Sequence, residues 1–269
     1  MLELSGYSFF QNALIAAIFT SIACGIIGTY IVSKRIVFIS GGITHSSFGG
    51  IGLGYFLGIN PVISAIVFSI LSALGIEFLA KRTEIREDSA IAIMWSFGMA
   101  LGIIFVFITP GYAPNLMNYL FGNILTVSRL DIYLSVFLAI IVSAFFMLFF
   151  KTILFISFDE EFARTRKVSV QLMNYILISF VALTIVLSIK IAGIILVISL
   201  LTIPQVTANL FYKDFKKIVF ASILLGFVGS VGGLILSYYF NIPSGASIIF
   251  LLVFIFVFLR ILKLVFAKN

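Results

Sequence analysis

The chain has 269 residues, of which 62% are hydrophobic and only 10% charged, against roughly 25% charged residues in an ordinary soluble domain. Its formal net charge is +7, but the Lys and Arg residues cluster at the ends of apolar runs rather than along one basic stripe, which marks membrane topology and excludes nucleic acid as the expected partner. The lone cysteine, Cys24, lies inside an apolar run, so there is no disulfide framework to read.

About 20 apolar residues cross a bilayer as a helix, and such runs follow one another here with loops too short to fold as domains. The expected fold is therefore all-α, a polytopic transmembrane helix bundle of eight or nine spanning helices, forming a single integral-membrane domain over residues 1–269. The N-terminus has no basic n-region, so no cleaved targeting segment is expected.

The first segment, 8–32, ends at Ser33-Lys34-Arg35. The second, 36–57, contains Ser40-Gly41-Gly42-Ile43-Thr44-His45-Ser46-Ser47-Phe48-Gly49-Gly50 and the only histidine of the chain. A side chain that can bind a metal or a proton is costly in hydrocarbon and normally faces a bundle interior or a watery path. His45 is therefore a candidate ligand of whatever crosses, with Thr44, Ser46 and Ser47 beside it; a histidine that only bonds between helices is the alternative. Seven glycines between Gly41 and Gly58 read as close helix packing, which places this segment centrally.

Asn60-Pro61 turns the chain into a third segment, 62–80, where Glu77 and Lys81 have the spacing of an ordinary helix-surface pair. Asp88 stands where it could cap the fourth, 89–108. The long connection after it has enough apolar residues for a short interfacial helix. A fifth segment, 131–156, leads into Phe158-Asp159-Glu160-Glu161-Phe162-Ala163-Arg164-Thr165-Arg166-Lys167, the one densely charged amphipathic piece, which reads equally as a solvated loop or as a docking helix. Acidic residues precede basic ones along it, in the order a helix dipole favours. The sixth and seventh segments, 172–189 and 191–211, meet at Lys190. Pro204 breaks the seventh and frees the carbonyl of Leu200; Gln205 and Thr207 beside the break are candidates to line a path, and plain kinking is the alternative. Segments 218–240 and 246–265 complete the count.

With the N-terminus outside, the inner loops collect every Lys and Arg except Arg129 and Lys190. That bias puts the C-terminus in the cytoplasm of a plasma (inner) membrane protein, with the charged 159–167 piece inside.

Several stretches together resemble the permease subunit of the ABC transporters that take up zinc, manganese or iron(II): Gly41 to Gly50 with Asn60-Pro61, Arg86-Glu87-Asp88-Ser89-Ala90-Ile91, Leu120-Phe121-Gly122-Asn123, Ile156-Ser157-Phe158-Asp159-Glu160-Glu161-Phe162-Ala163, Gly193-Ile194-Ile195-Leu196-Val197 with Ile203-Pro204, and Pro243-Ser244-Gly245-Ala246. The resemblance implies a homodimeric pore in the lipid bilayer, a separate cytoplasmic ATP-binding subunit and an extracytoplasmic metal-binding protein. It also implies that Phe158, Asp159, Glu160, Glu161, Phe162, Ala163 and Arg164 form the coupling helix to that ATPase. Many members carry an aspartate four residues before the histidine; here Gly41 stands there, and the metal-ligand role carries over to His45 alone. The coupling stretch of relatives often has a glycine where this chain has Lys167.

No phosphate-loop pattern Gly-x-x-x-x-Gly-Lys-Ser/Thr occurs, so ATP is expected to be used by a partner, the chain to be a transport subunit rather than an enzyme, and no cofactor to be bound. A permease for a larger chelate, of siderophore or cobalamin type, and an ATP-independent carrier are the competing readings. The carrier would need membrane-embedded carboxylates, and Glu77 lies only at a boundary.

Overall fold

The computed structural model describes residues 7–110, 122, 124 and 127–266. Among them the chain forms α1 (Ser8–Lys34), α2 (Val37–Leu57), α3 (Pro61–Arg82), α4 (Glu87–Ile108), α5 (Arg129–Leu148), α6 (Phe150–Phe158), α7 (Glu160–Thr165), α8 (Val170–Leu200), α9 (Ile203–Asn209), α10 (Phe215–Phe240) and α11 (Ser244–Phe266), and no strand. Most of the connection expected to carry an interfacial helix lies outside the described residues.

Seven of these helices are long and apolar enough to cross a membrane, fewer than the eight or nine expected. Two places account for the difference. The second sequence segment forms a helix of 21 residues, but its glycines and hydroxyls dilute its apolar character. The sixth and seventh segments run together into Val170–Asn209, because Lys190 ends no helix. The breaks fall later, at Gly193, whose φ of 79° and ψ of 162° are non-helical, and at Thr202, before α9. The Gly193 φ lies in the left-handed region that a side chain disfavours.

The chain divides into two compact units. One comprises Met1–Ser33, Met117–Leu148 and Ser188–Asn269; the other comprises Lys34–Leu116 and Phe149–Leu187. In the first, α9 packs on α10 and α11, and α10 on α11. In the second, α2 packs on both α3 and α4.

Local chemistry explains where the elements begin. Asn60 caps α3, accepting a hydrogen bond from the Val62 amide at 2.9 Å, with Pro61 in the first turn, where its missing N–H costs nothing. Asp159 caps α7 through the Phe162 amide at 2.9 Å. Asp88 does not cap α4: that helix starts one residue earlier, behind Arg86, and Asp88 pairs with the Arg86 guanidinium at 3.1 Å. Glu77 and Lys81 form the surface pair that their spacing suggests, at 2.5 Å.

Candidate transport site

The glycines of α2 set its position. A Cβ added at Gly98 of α4 would lie 2.5 Å from the Ser46 Cα, and one at Gly50 would lie 2.6 Å from the Ala65 Cα of α3. Both are closer than real Cβ atoms approach, so the three backbones touch only because these side chains are absent. Thr44, Ser46 and Ser47 are buried in this contact. Their hydroxyls donate to carbonyls of their own helix, at Ser40 (2.5 Å), Ile43 (3.0 Å) and Thr44 (2.6 Å) respectively.

His45 is different. It is half-buried, as is Gly41 one turn before it, and its imidazole lies flat against the indole of Trp95, with ring centroids 4.0 Å apart and 7° between planes. Its Nδ1 is buried without a hydrogen-bond partner among the described residues. Neutral imidazole binds zinc, copper, iron or nickel ions well, whereas carboxylate, carbonyl and water oxygens suit manganese. No group of three or more His, Cys, Asp or Glu side chains gathers among the described residues, so one chain offers a single nitrogen ligand rather than a cage. A weak site of that kind suits an ion that must leave as readily as it enters.

Gln205 and Thr207 are placed otherwise. Gln205 is fully buried, and its Nε2 donates to the Leu200 carbonyl at 3.0 Å and the Cys24 carbonyl at 2.9 Å. It thus satisfies the carbonyl that Pro204 leaves without an amide partner. Thr207, also buried, donates to the Ile203 carbonyl at 2.7 Å.

The charged piece after α6 is a short helix with one anchored face. Ala163 packs into a small core with Ile156 and Val170. Glu160 meets Lys34 at 2.9 Å and accepts from the Asn174 amide at 3.1 Å, while Lys34 donates to Asn174 at 2.7 Å. Burial would raise the Glu160 carboxyl, but the Lys34 hydrogen bond and charge, the Asn174 amide and the Lys81 charge hold it below the usual carboxylate range. Phe158, Glu161, Phe162 and Arg164 are left exposed. Lys167 closes the piece with φ at +59°, the left-handed conformation glycine tolerates best.

The ABC 3 transport family model matches residues 6–263. The chain belongs to that family. It is 42% identical over 249 residues to a membrane protein of Synechocystis sp., covering 93% of this chain and 89% of that one. To the manganese transport system membrane protein MntC of Listeria monocytogenes it is 35% identical over 259 residues, covering 95% and 92%. The solved PsaBC complex of Streptococcus pneumoniae with a Fab superposes with a TM-score of 0.87 at 33% identity, covering 99% of this chain and 97% of that one. As an ABC 3 family member the chain is a transport subunit and not an enzyme, and the family assignment decides against both a chelate permease and an ATP-independent carrier.

Two features of this family member escaped the sequence. Trp95 looks like any apolar residue of a spanning helix, and only the α2–α4 packing shows what it faces. Asp131 is buried, 5% exposed, and binds Lys190 at 2.7 Å along with the Ser128 amide and hydroxyl at 3.0 and 2.6 Å. The signal available was that Asp131 and Lys190 are two of the few charges away from the main Lys and Arg clusters.

Proposed function

We propose that the chain is the permease of an ATP-driven importer for a divalent first-row transition-metal ion, with manganese or iron(II) the leading cargo and zinc the third. The observation that carries this is 35% identity with a manganese transport membrane protein over nearly the whole chain; the half-buried imidazole of His45 on a glycine-packed helix supplies one ligand, and water oxygens complete a shell that suits manganese. Of the side chains singled out around a path, His45 is the metal ligand; Thr44, Ser46 and Ser47 shape the helix that carries it, and Gln205 and Thr207 shape the helix break at Pro204.

One histidine supplies too few ligands, so two copies of the chain form the pore and contribute one imidazole each. Residues 158–164 dock a cytoplasmic ATPase, a reading supported by the exposed Phe158 and Phe162 beside a firmly anchored Ala163. An extracytoplasmic binding protein delivers the ion. All of residues 1–269 serve one integral-membrane domain.

The helix of residues 37–57 and both limbs of residues 170–209 cross the plasma membrane, giving nine crossings with the N-terminus outside and the C-terminus in the cytoplasm. Contacts on either side of Gly193 support the two limbs. Lys190 reaches Asp131 at the start of α5, Gln205 reaches Cys24 midway along α1, and Leu210 accepts from Lys263 near the end of α11. The Lys and Arg clusters before and after the pair also require an even number of crossings between them.

Reconstitution with the cognate ATPase and binding protein tests the function. ATP-dependent uptake of manganese, iron(II) or zinc is the expected result. Uptake of none of them, or uptake left unchanged by His45→Ala in a folded protein, overturns it.

A further inference from the structure

A metal-binding histidine almost always donates its second ring N–H to a carboxylate, a carbonyl or water, and that bond fixes both tautomer and ring orientation. His45 lacks this support, since Nδ1 is buried with no partner among the described residues and the adjacent hydroxyls donate to the carbonyls of their own helix. The ring is held instead by a flat aromatic face, that of Trp95, at 4.0 Å and 7°.

The packing of α2 on α4 delivers that face. Trp95 stands one helical turn before Gly98, and Gly98 lets the α4 backbone rest on Ser46, the residue after His45. Gly41, one turn before His45, keeps the approach open: a Cβ there would meet the Trp95 Cζ3 only at 3.8 Å.

Resting on the metal-permease reading above, we propose that Trp95 is the positioning residue of the transport site, holding the His45 imidazole by stacking where other metal sites use a hydrogen bond. A metal binds a ring nitrogen in the plane of the ring. Stacking covers one face of the imidazole while leaving its edge free, so the ion meets the lone pair in a single orientation. The indole face also attracts a passing cation through its quadrupole.

Trp95 is the only tryptophan of the chain, so its emission reports on the site directly. Uptake is compared for the parent, Trp95→Phe and Trp95→Leu in the complex with ATPase and binding protein. Emission of the full-length permease is followed during titration with Mn²⁺ and with Zn²⁺.

Trp95→Leu fills the space without an aromatic face and should raise the metal concentration for half-maximal uptake about 10- to 100-fold, the usual penalty for losing a ligand's support. Trp95→Phe should stay close to the parent. Parent emission should change saturably with metal, and His45→Ala should abolish that change. A transporting parent whose Trp95→Leu form is unaffected, or whose emission ignores the ion, overturns this role alone. A parent that moves no divalent ion overturns the permease reading as well. Should Trp95→Leu not fold, the emission titration decides by itself.

Discussion

Replacing Gln205 by Leu separates a structural role from contact with cargo. The side chain keeps about the same volume but loses both hydrogen bonds of Nε2, to Leu200 and to Cys24. A buried carbonyl left without a partner costs about 1–3 kcal/mol. The full cost falls on Leu200, because Pro204 cannot supply the amide that a helix would normally offer it. The Cys24 carbonyl lies within α1, where the helix ladder gives it an acceptor role, so its loss is nearer the bottom of that range. Gln205 Oε1 is itself buried without a partner, and removing it returns about 1 kcal/mol. The net loss is about 2 kcal/mol, which for a chain of this size lowers the unfolding temperature by about 4–8 °C. Thermal unfolding in detergent measures the shift, and uptake per folded molecule should be nearly unchanged. An unaltered unfolding temperature with lost uptake would refute the structural account and return Gln205 to the transport path.

Lys190→Met leaves Asp131 buried with only its Ser128 hydrogen bonds. Breaking a buried pair costs about 3–5 kcal/mol, and since Lys190 is 43% exposed a loss of about 2 kcal/mol is expected; Asp131→Asn with Lys190→Met should recover much of it in denaturation measurements. Glu160→Gln should destabilise by about 0.5–1 kcal/mol at neutral pH. The folded Glu160 carboxyl is held low, so its contribution is complete above the ordinary glutamate value of about 4.3 and is lost as pH falls through the lowered one. The stability gap between parent and variant should therefore close in strong acid, and a gap that persists there would point to packing instead. Gly98→Val forces the α2 and α4 backbones apart at Ser46, costing about 1–3 kcal/mol and displacing Trp95; its emission spectrum should shift together with the loss of uptake.

The residues that write their own local structure were legible without a fold. Asn60-Pro61 starts α3 and Asp159 starts α7 because a cap needs only atoms two or three residues away. Glu77 and Lys81 meet because one helical turn separates them. Asp88 shows the limit of that logic: its carboxylate pairs with nearby Arg86, and the helix begins at Glu87, two residues before the expected start.

His45 stood out from its rarity alone, since hydrocarbon penalises such a side chain wherever the helix goes. Its surroundings could not be read the same way. The hydroxyls beside it in sequence turn into their own helix, while Trp95, remote in sequence, covers its ring. Likewise Gln205 sits beside a break that composition reveals, yet besides the Leu200 carbonyl its Nε2 also bonds that of Cys24, 181 residues away. Length, apolar runs and charge clusters determine that the chain crosses a membrane, because a helix satisfies its own backbone and each crossing has a set length. Which side chain covers which across helices is a matter of packing, decided here by where glycines let backbones touch, and that only the tertiary structure supplies.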